Sequence, residues 1–378
     1  MKVYFDNAAT TSLDPEVLEV MIDVMRKHYG NPSSIHAHGR EVRTIVEQAR
    51  KTVAKLLNCT PSEIFFTSGG TEADNTAIRC GMLDMGISHA ITSKIEHHAV
   101  LHTLENLASK GLIHLDFVDI DNQGNVDLGH LEQLLQTNPK TFVSLMEANN
   151  ELGTKLSLEN VGDLCEKYNA IFHSDTVQTI GHFRHDFSKL KVHFMVCAAH
   201  KMHGPKGIGF LYVKNTIKIK PLIFGGSQER NMRGGTENVY GIAGLAKALE
   251  IAYEHIDEHR DYVLELKKYM MEELKKAIPD IDFNGNTNLE KSLYTVLNVC
   301  FPAMEMSEML LFNLDIAGIS ASGGSACSSG SNVGSHVLSA INASPDRPSI
   351  RFSFSKLNTK EEIDFVVNKV QELFPIKV

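Results

Sequence analysis

Between residues 60 and 215 the chain alternates short runs of β-branched, aliphatic and aromatic residues with stretches of helical period. The runs are Ile64 to Thr67, His89 to Thr92, His114 to Val118, Thr141 to Met146, Ile171 to Ser174, His193 to Cys197 and Gly209 to Val213. Strands separated by helices of this length build βαβ units around a mainly parallel sheet, so the pattern predicts an α/β core. Glu237 to Ala277 carries a long helical pattern with Gly241 and Gly244 near its start, long enough for two helices or one bent one. It is expected to bridge to a second unit. That unit comprises a strand-like run (Tyr294 to Phe301), a helix (Glu305 to Ile316), a Ser/Gly loop (Ser320 to Ser335), another strand (Ser349 to Ser353) and a closing helix (Thr359 to Leu373). No internal repeat and no disordered charge tract is found.

Composition narrows the class. The 378 residues are 43% hydrophobic and 22% charged, ordinary for a globular chain with one large and one smaller domain. Lys and Arg total 37 against 46 for Asp and Glu, a net charge of -9, which argues against a surface built to coat nucleic acid or anionic lipid. No apolar run approaches the roughly 18 residues of a membrane span, and Met1 to Thr10 reads as a short strand and turn rather than a signal peptide, so a cytoplasmic location is expected. The cysteines are Cys59, Cys80, Cys165, Cys197, Cys300 and Cys327, with no CxxC pair, which argues against a disulfide framework or zinc cage. All but Cys327 sit beside apolar residues and are expected in the core.

Ligands of open parallel sheets bind beyond the carboxyl ends of the strands, so candidate chemistry is sought just after each run. Ser68-Gly69-Gly70-Thr71-Glu72 follows the first run and opens a helix; its glycines, free N–H groups and the Thr71 hydroxyl suit a phosphate, or form a plain turn. The chain has no GxxxxGK[ST], and Gly207-Ile208-Gly209 is too short for a dinucleotide fingerprint. Glu96-His97-His98, Asn149-Asn150-Glu151, Asp175 with Gln178, and His200-Lys201 follow later runs. Lys201 is a nucleophilic amine if partly buried, or a surface lysine at a turn. Asp175 has the type that pairs with a protonated pyridine nitrogen, or that caps a helix. Adjacent histidines rarely share a metal ion, and no HExxH or nearby third ligand is present, so His97 is better used to stack on a ring and move protons; a structural histidine is the alternative. Cys327 lies in a Ser/Gly stretch too small and flexible to bury a thiol, as a reactive cysteine or an exposed accidental one. Arg351 offers a fork to a carboxylate or makes a structural ion pair.

Taken in order, these segments resemble the cysteine desulfurases of the NifS and IscS type, in the class V aminotransferase family of fold-type I pyridoxal-phosphate enzymes. The matching segments run through the chain: Tyr4-Phe5-Asp6-Asn7-Ala8-Ala9-Thr10-Thr11, Gly30-Asn31-Pro32-Ser33-Ser34-Ile35-His36, Phe66 to Glu72, Glu96-His97, Asn149 to Gly153, Asp175-Thr176-Val177-Gln178, His200-Lys201 with Gly204-Pro205-Lys206-Gly207, Arg233 to Asn238, and Gly324-Ser325-Ala326-Cys327. The resemblance implies a large domain over 13–255 with a mainly parallel sheet flanked by helices. A smaller α+β domain would join 1–12 to 256–378 and carry the Cys327 loop at about 320–335. It implies that Lys201 is joined to pyridoxal 5'-phosphate, Asp175 pairs with the pyridine nitrogen and His97 stacks on the ring. Asn150 and Gln178 would contact the cofactor; Gly70, Thr71 and His200 would hold its phosphate. Arg351, with Asn150, would take the substrate carboxylate, and Thr236 would reach the other subunit's phosphate in a homodimer.

The implied reaction removes sulfur from L-cysteine. Lys201 acts as base, His97 assists proton transfer, and the Cys327 thiolate takes the sulfur as a persulfide, leaving alanine. A sulfur-acceptor protein follows, either an iron-sulfur scaffold or a tRNA-thiolation relay; no metal, nucleic acid or membrane partner is implied. Selenocysteine lyase or another class V activity, and a non-catalytic sulfur carrier, are the competing readings. Two departures stand out. Ala198 occupies a phosphate-site position where many relatives have serine, removing a hydrogen bond worth on the order of 1 kcal/mol or more. After the closing helix only Phe374-Pro375-Ile376-Lys377-Val378 follows, so delivery through the longer tail with which the IscS branch docks its scaffold is not expected.

Overall fold

In the computed structural model, residues 1–138, 140–303, 309–323 and 334–374 are described. Among them the strands are β1 (Val3–Tyr4), β2 (Ile64–Thr67), β3 (His89–Thr92), β4 (His114–Phe117), β5 (Thr141–Ser144), β6 (Ile171–Asp175), β7 (Phe194–Ala198), β8 (Gly209–Val213), β9 (Asp282–Asn284), β10 (Val296–Cys300), β11 (Ile319–Ser320) and β12 (Ser349–Ser353). Strands β2 to β8 form a seven-stranded sheet in the order β2-β8-β7-β6-β5-β3-β4. β4, β3, β5, β6 and β7 run parallel, while β8 is antiparallel to both β7 and β2. The mainly parallel α/β sheet is therefore present, with one reversed strand.

β5, β7 and β8 are buried at every position, because helices cover both faces and an uninterrupted apolar run suits a strand with no solvent side. On one face, helix Ala37–Leu56 packs Val42, Val46, Ala49 and Val53 against Ile64, Phe66 and Phe210. On the other, Ala73, Ala77 and Ile78 meet Phe142, Phe194 and Leu211. The long helical pattern resolves into two helices, Val239–Glu254 and Ile256–Ala277, meeting at His255. The first begins later than Glu237 because the Asn238 side chain caps it by accepting from Gly241 N.

A second, three-stranded antiparallel sheet has the order β12-β10-β9, and β1 pairs with β11. Helices Ile256–Ala277 and Lys360–Leu373 cover it, sharing a separate apolar cluster with Val3, Phe5, Phe301 and Phe352. Several boundaries differ from the expected runs: β5 ends at Ser144 rather than Met146, β10 spans only Val296–Cys300, and β7 is shifted one residue to Phe194–Ala198. Leu145 N still bonds to His173 O and Phe301 N to Pro348 O, so the apolar run outlasts the regular ladder. The helix expected from Glu305 is described from Leu310 to Ile316. Among the described residues no helix is long and apolar enough to cross a membrane.

Candidate active site

The carboxyl ends of β3, β5, β6 and β7 open into a cavity of about 230 Å³. Gly70, Thr71, His97, Asn150, Asp175, Gln178, Ala198, His200, Lys201 and Arg351 all line it, so one space gathers ten residues from distant parts of the chain. Thr236 lies elsewhere, in a second cavity of about 190 Å³ with Arg233 and Glu237. Cys327 lies outside the described residues. The segments flanking it are tied to the cavity's walls: Ser322 exchanges backbone hydrogen bonds with Arg351, Ser335 Oγ donates to Glu151, and His336 Nε2 meets Glu96 O at 2.9 Å.

Gly69 has φ +149°, a conformation that favours glycine. A Cβ on Gly70 would stand 2.8 Å from Val177 Cγ2, so a larger residue there would push the helix start away from the loop after β6. Glu72 holds the turn from behind: its Oε2 accepts from Ser68 N at 2.9 Å and its Oε1 meets Arg233 Nε at 3.0 Å.

Lys201 ends the short helical turn Ala199–Lys201 directly after β7. Its Nζ donates to Ala8 O at 2.6 Å and Ala9 O at 2.8 Å, which draws the N-terminal segment across the mouth of the cavity. Gln178 Nε2 reaches the same Ala8 carbonyl at 3.1 Å. His200 Nδ1 lies 3.2 Å from Thr10 Oγ1, and burial, with Lys201 and Lys206 nearby, lowers its pKa to about 4, so the ring is neutral at ordinary pH.

His97 caps helix His98–Ser109 by accepting from Ala99 N at its Nδ1, 3.1 Å away; the neutral ring therefore carries its proton on Nε2. His98 turns elsewhere, with Nε2 3.1 Å from His336 Nδ1 and its ring stacked on His102. The paired asparagines separate similarly. Asn149 is structural, its Oδ1 accepting from Glu151 N and Leu152 N, whereas Asn150 faces the cavity.

Asp175 ends β6, buried, with Oδ1 accepting from Val177 N at 2.9 Å. Burial raises its pKa, and His97, the Val177 amide and Lys201 oppose the rise. Asp74, which the strand-end search does not reach, also lines the cavity and is 1% exposed. Ligand atoms of Asp74, His97 and Asp175 lie within 4.8 Å of one another. Burial pushes the Asp74 pKa well above its ordinary value, reinforced by Asp175 and Glu96, so the charged form of Asp74 is strongly disfavoured. His173 Nε2 stands 3.3 Å from Asp74 Oδ1 but off the line of a hydrogen bond, and burial lowers its pKa to about 3. One signal could have found Asp74: it lies four residues after Gly70, on the same side of the helix.

Arg351, 1% exposed, makes the structural ion pair of its second reading and also lines the cavity. NH2 pairs with Asp6 Oδ1 at 2.7 Å and NH1 donates to Asn150 O at 3.0 Å, while its buried Nε has no partner among the described residues. Of the described cysteines, Cys80, Cys165, Cys197 and Cys300 are buried as expected, while Cys59 is only partly so.

The aminotransferase class-V family matches residues 3–366. The chain is 42% identical to the cysteine desulfurase IscS of Dictyoglomus turgidum, over 98% of this chain and 94% of that protein. It is also 42% identical to a putative cysteine desulfurase, IscS 1, of Bacillus subtilis, over 98% of both. Among solved structures, a NifS-like protein superposes with a TM-score of 0.91 at 39% identity, covering 99% of each chain. SspA in complex with cysteine superposes with a TM-score of 0.81 at 31% identity, over 95% of this chain and all of that one. The chain belongs to the class V aminotransferase family. Its fold is that of the NifS-like enzymes.

Proposed function

We propose that this chain is a pyridoxal-phosphate-dependent cysteine desulfurase that moves the sulfur of L-cysteine onto Cys327 and releases alanine. The observation that carries the reading is one cavity holding Lys201, the buried Asp175 and His97 beyond the ends of β7, β6 and β3, in a chain similar along its length to desulfurases. The cavity also passes a test of fit. Burial disfavours the charged form of Asp175, so a carboxylate there calls for a cationic partner, and a protonated pyridine nitrogen is one. Gly69, with open space where a Cβ would stand, leaves room at a helix start for a phosphate, and a neutral His200 can donate to one.

Bound there, pyridoxal phosphate supplies an electron sink for the charge left when the substrate's Cα proton departs. The chain does the rest. Lys201 would hold the cofactor and is the amine placed to take the substrate's Cα proton. Asp175 would pair with the ring nitrogen, Asn150 and Gln178 would contact the ring, and His97, with a proton on Nε2, would stack on it. Gly70, Thr71 and His200 hold the phosphate, with Ala198 beside them. Arg351, its Nε–H already aimed into buried space, binds the substrate carboxylate. The Cys327 thiolate would then attack the substrate sulfur; the S–S bond forms as the Cβ–S bond breaks, its electron pair stays with carbon, and protons delivered to Cβ and back to Cα give alanine. Burial raises the thiols of Cys59 and Cys165 to about 12 and that of Cys80 to about 11, which removes them as nucleophiles at neutral pH.

The proposal includes a homodimer, supported by Thr236 lying outside its own chain's Lys201 cavity, and a sulfur-acceptor protein downstream. It also includes a division of the chain into 13–255 and 1–12 with 256–378, supported by the apolar cluster that joins Val3 and Phe5 to Val263 and Phe352. The test is Cys327→Ala. The variant should bind the cofactor with the wild-type spectrum yet lose steady-state alanine formation; wild-type turnover would defeat the assignment of Cys327 and favour another class V activity.

A further inference from the structure

At the edge of the central sheet, away from the cavity, three side chains meet that the proposed reaction does not use. β3 and β4 are parallel, with His89 opposite His114 and Ile91 opposite Asp116, and β4 is the last strand of the sheet. Cross-strand partners and residues two apart share a face, so His89, His114 and Asp116 project to one side. His89 Nε2 lies 2.9 Å from Asp116 Oδ2, and His114 Nε2 lies 3.2 Å from Asp116 Oδ1. Ligand atoms of all three fall within 4.8 Å of one another. We infer that His89, His114 and Asp116 bind one divalent first-row transition-metal ion, of the zinc, nickel or copper class.

Spacing supports the inference. Donors sharing one tetrahedral ion at ~2.0–2.2 Å stand about 3.3–3.6 Å from each other, a little wider than the 2.9 and 3.2 Å found here, so small rotations of the exposed His114 ring and the Asp116 carboxylate complete the set. Two imidazoles and a carboxylate suit zinc, nickel or copper better than magnesium or calcium, which prefer oxygen donors.

The second argument comes from the neighbouring strand. Thr141, opposite His89 on β5, gives its hydroxyl proton to Asn138 O at 2.7 Å. It therefore accepts from His89 Nδ1, 2.8 Å away. With Nδ1 held by that bond, His89 turns Nε2 toward the Asp116 carboxylate 2.9 Å away, a spacing that calls for a cation, proton or metal ion, between nitrogen and oxygen. A histidine whose far nitrogen is fixed by a hydrogen bond, with the near one bare, has the arrangement of a metal ligand. Access is provided, since His114 is 72% exposed while His89 is 9% exposed. Three protein donors also leave a position for water. His89 and His114 begin their strands, so the site lies toward the end of the sheet opposite the cavity.

The test is a zinc titration of the cofactor-loaded wild type and of His114→Ala, Asp116→Asn and Thr141→Val, followed by calorimetry. The wild type should bind one equivalent of zinc more than His114→Ala or Asp116→Asn. Thr141→Val should keep that equivalent with affinity reduced about 10- to 100-fold. His114→Ala should form alanine at the wild-type rate. Zinc held elsewhere, as by Cys327, appears in all four proteins and cancels. Equal stoichiometry and affinity in the wild type and His114→Ala would overturn the site and leave His89 and Asp116 sharing a proton.

Discussion

Arg50 and Glu229 form an ion pair, both side chains 2% exposed, under the strand that leads to the Gly69-Gly70 turn. The pair is bidentate, NH1 to Oε2 at 2.7 Å and NH2 to Oε1 at 2.8 Å. Glu229 Oε2 also accepts from Phe66 N at 2.8 Å, and Arg50 NH1 donates to Ile64 O at 2.8 Å, so β2 is anchored at two backbone positions. In Glu229→Gln the volume is unchanged, but an amide NH2 replaces one carboxylate oxygen and faces donors. Removing one partner of a buried pair costs about 3–5 kcal/mol. The lower end applies here, because Glu47 Oε1, 3.2 Å from Arg50 Nε, retains part of the compensation. With an unfolding entropy of about 2.1 cal/mol/K per residue over a chain of this size, ~3 kcal/mol lowers Tm by about 4 °C. The control is Glu47→Ala, whose side chain is 41% exposed and whose loss costs no more than about 1 kcal/mol. Scanning calorimetry of both variants, with cofactor bound, decides the matter. A Glu229→Gln shift no larger than that of Glu47→Ala would refute the reasoning.

Two further predictions follow from buried groups at the site. Burial raises the Glu96 carboxyl from 4.5 to about 8, with Asp175 adding to the rise and the Met146 amide opposing it. Between those values the folded state holds a proton that the unfolded chain has released. Its contribution to stability is therefore complete below pH 4.5 and declines as pH rises to about 8. Glu96→Gln should remove this slope, so the difference in Tm between variant and wild type should move in the variant's favour from pH 5 to pH 8; a constant difference would contradict the assignment. Ala198→Ser restores a hydroxyl at the end of β7, in the cavity wall, and one added hydrogen bond worth about 1 kcal/mol should tighten cofactor binding roughly 5-fold. An unchanged dissociation constant, measured by fluorescence titration, would remove Ala198 from the phosphate site.

The sheet was legible because its inner strands are buried on both faces: Phe194–Ala198 and Gly209–Val213 are unbroken apolar runs bounded by turns. The reversal of β8 was not legible, since an apolar run carries no direction. Helix Ala37–Leu56 lies before the alternating stretch and is marked only by Val42, Val46, Ala49 and Val53 on one stripe among charges. At the site, strand ends pointed to Asp175, His200 and Lys201, because a parallel sheet presents those positions together. The acceptors of Lys201 Nζ carry no side-chain signature, being the carbonyls of Ala8 and Ala9 far away in the chain. The same is true of the Asp6–Arg351 pair, which joins β12 to the N-terminal segment. Asp74 was hidden because an acid in a helix normally faces water, and only tertiary packing makes this one 1% exposed.

The most direct test of the central claim is the yield of alanine and sulfide when the cofactor-loaded protein is given L-cysteine and a thiol reductant. The account predicts equal amounts of both over many turnovers; cysteine consumed without alanine, or no consumption at all, would contradict it.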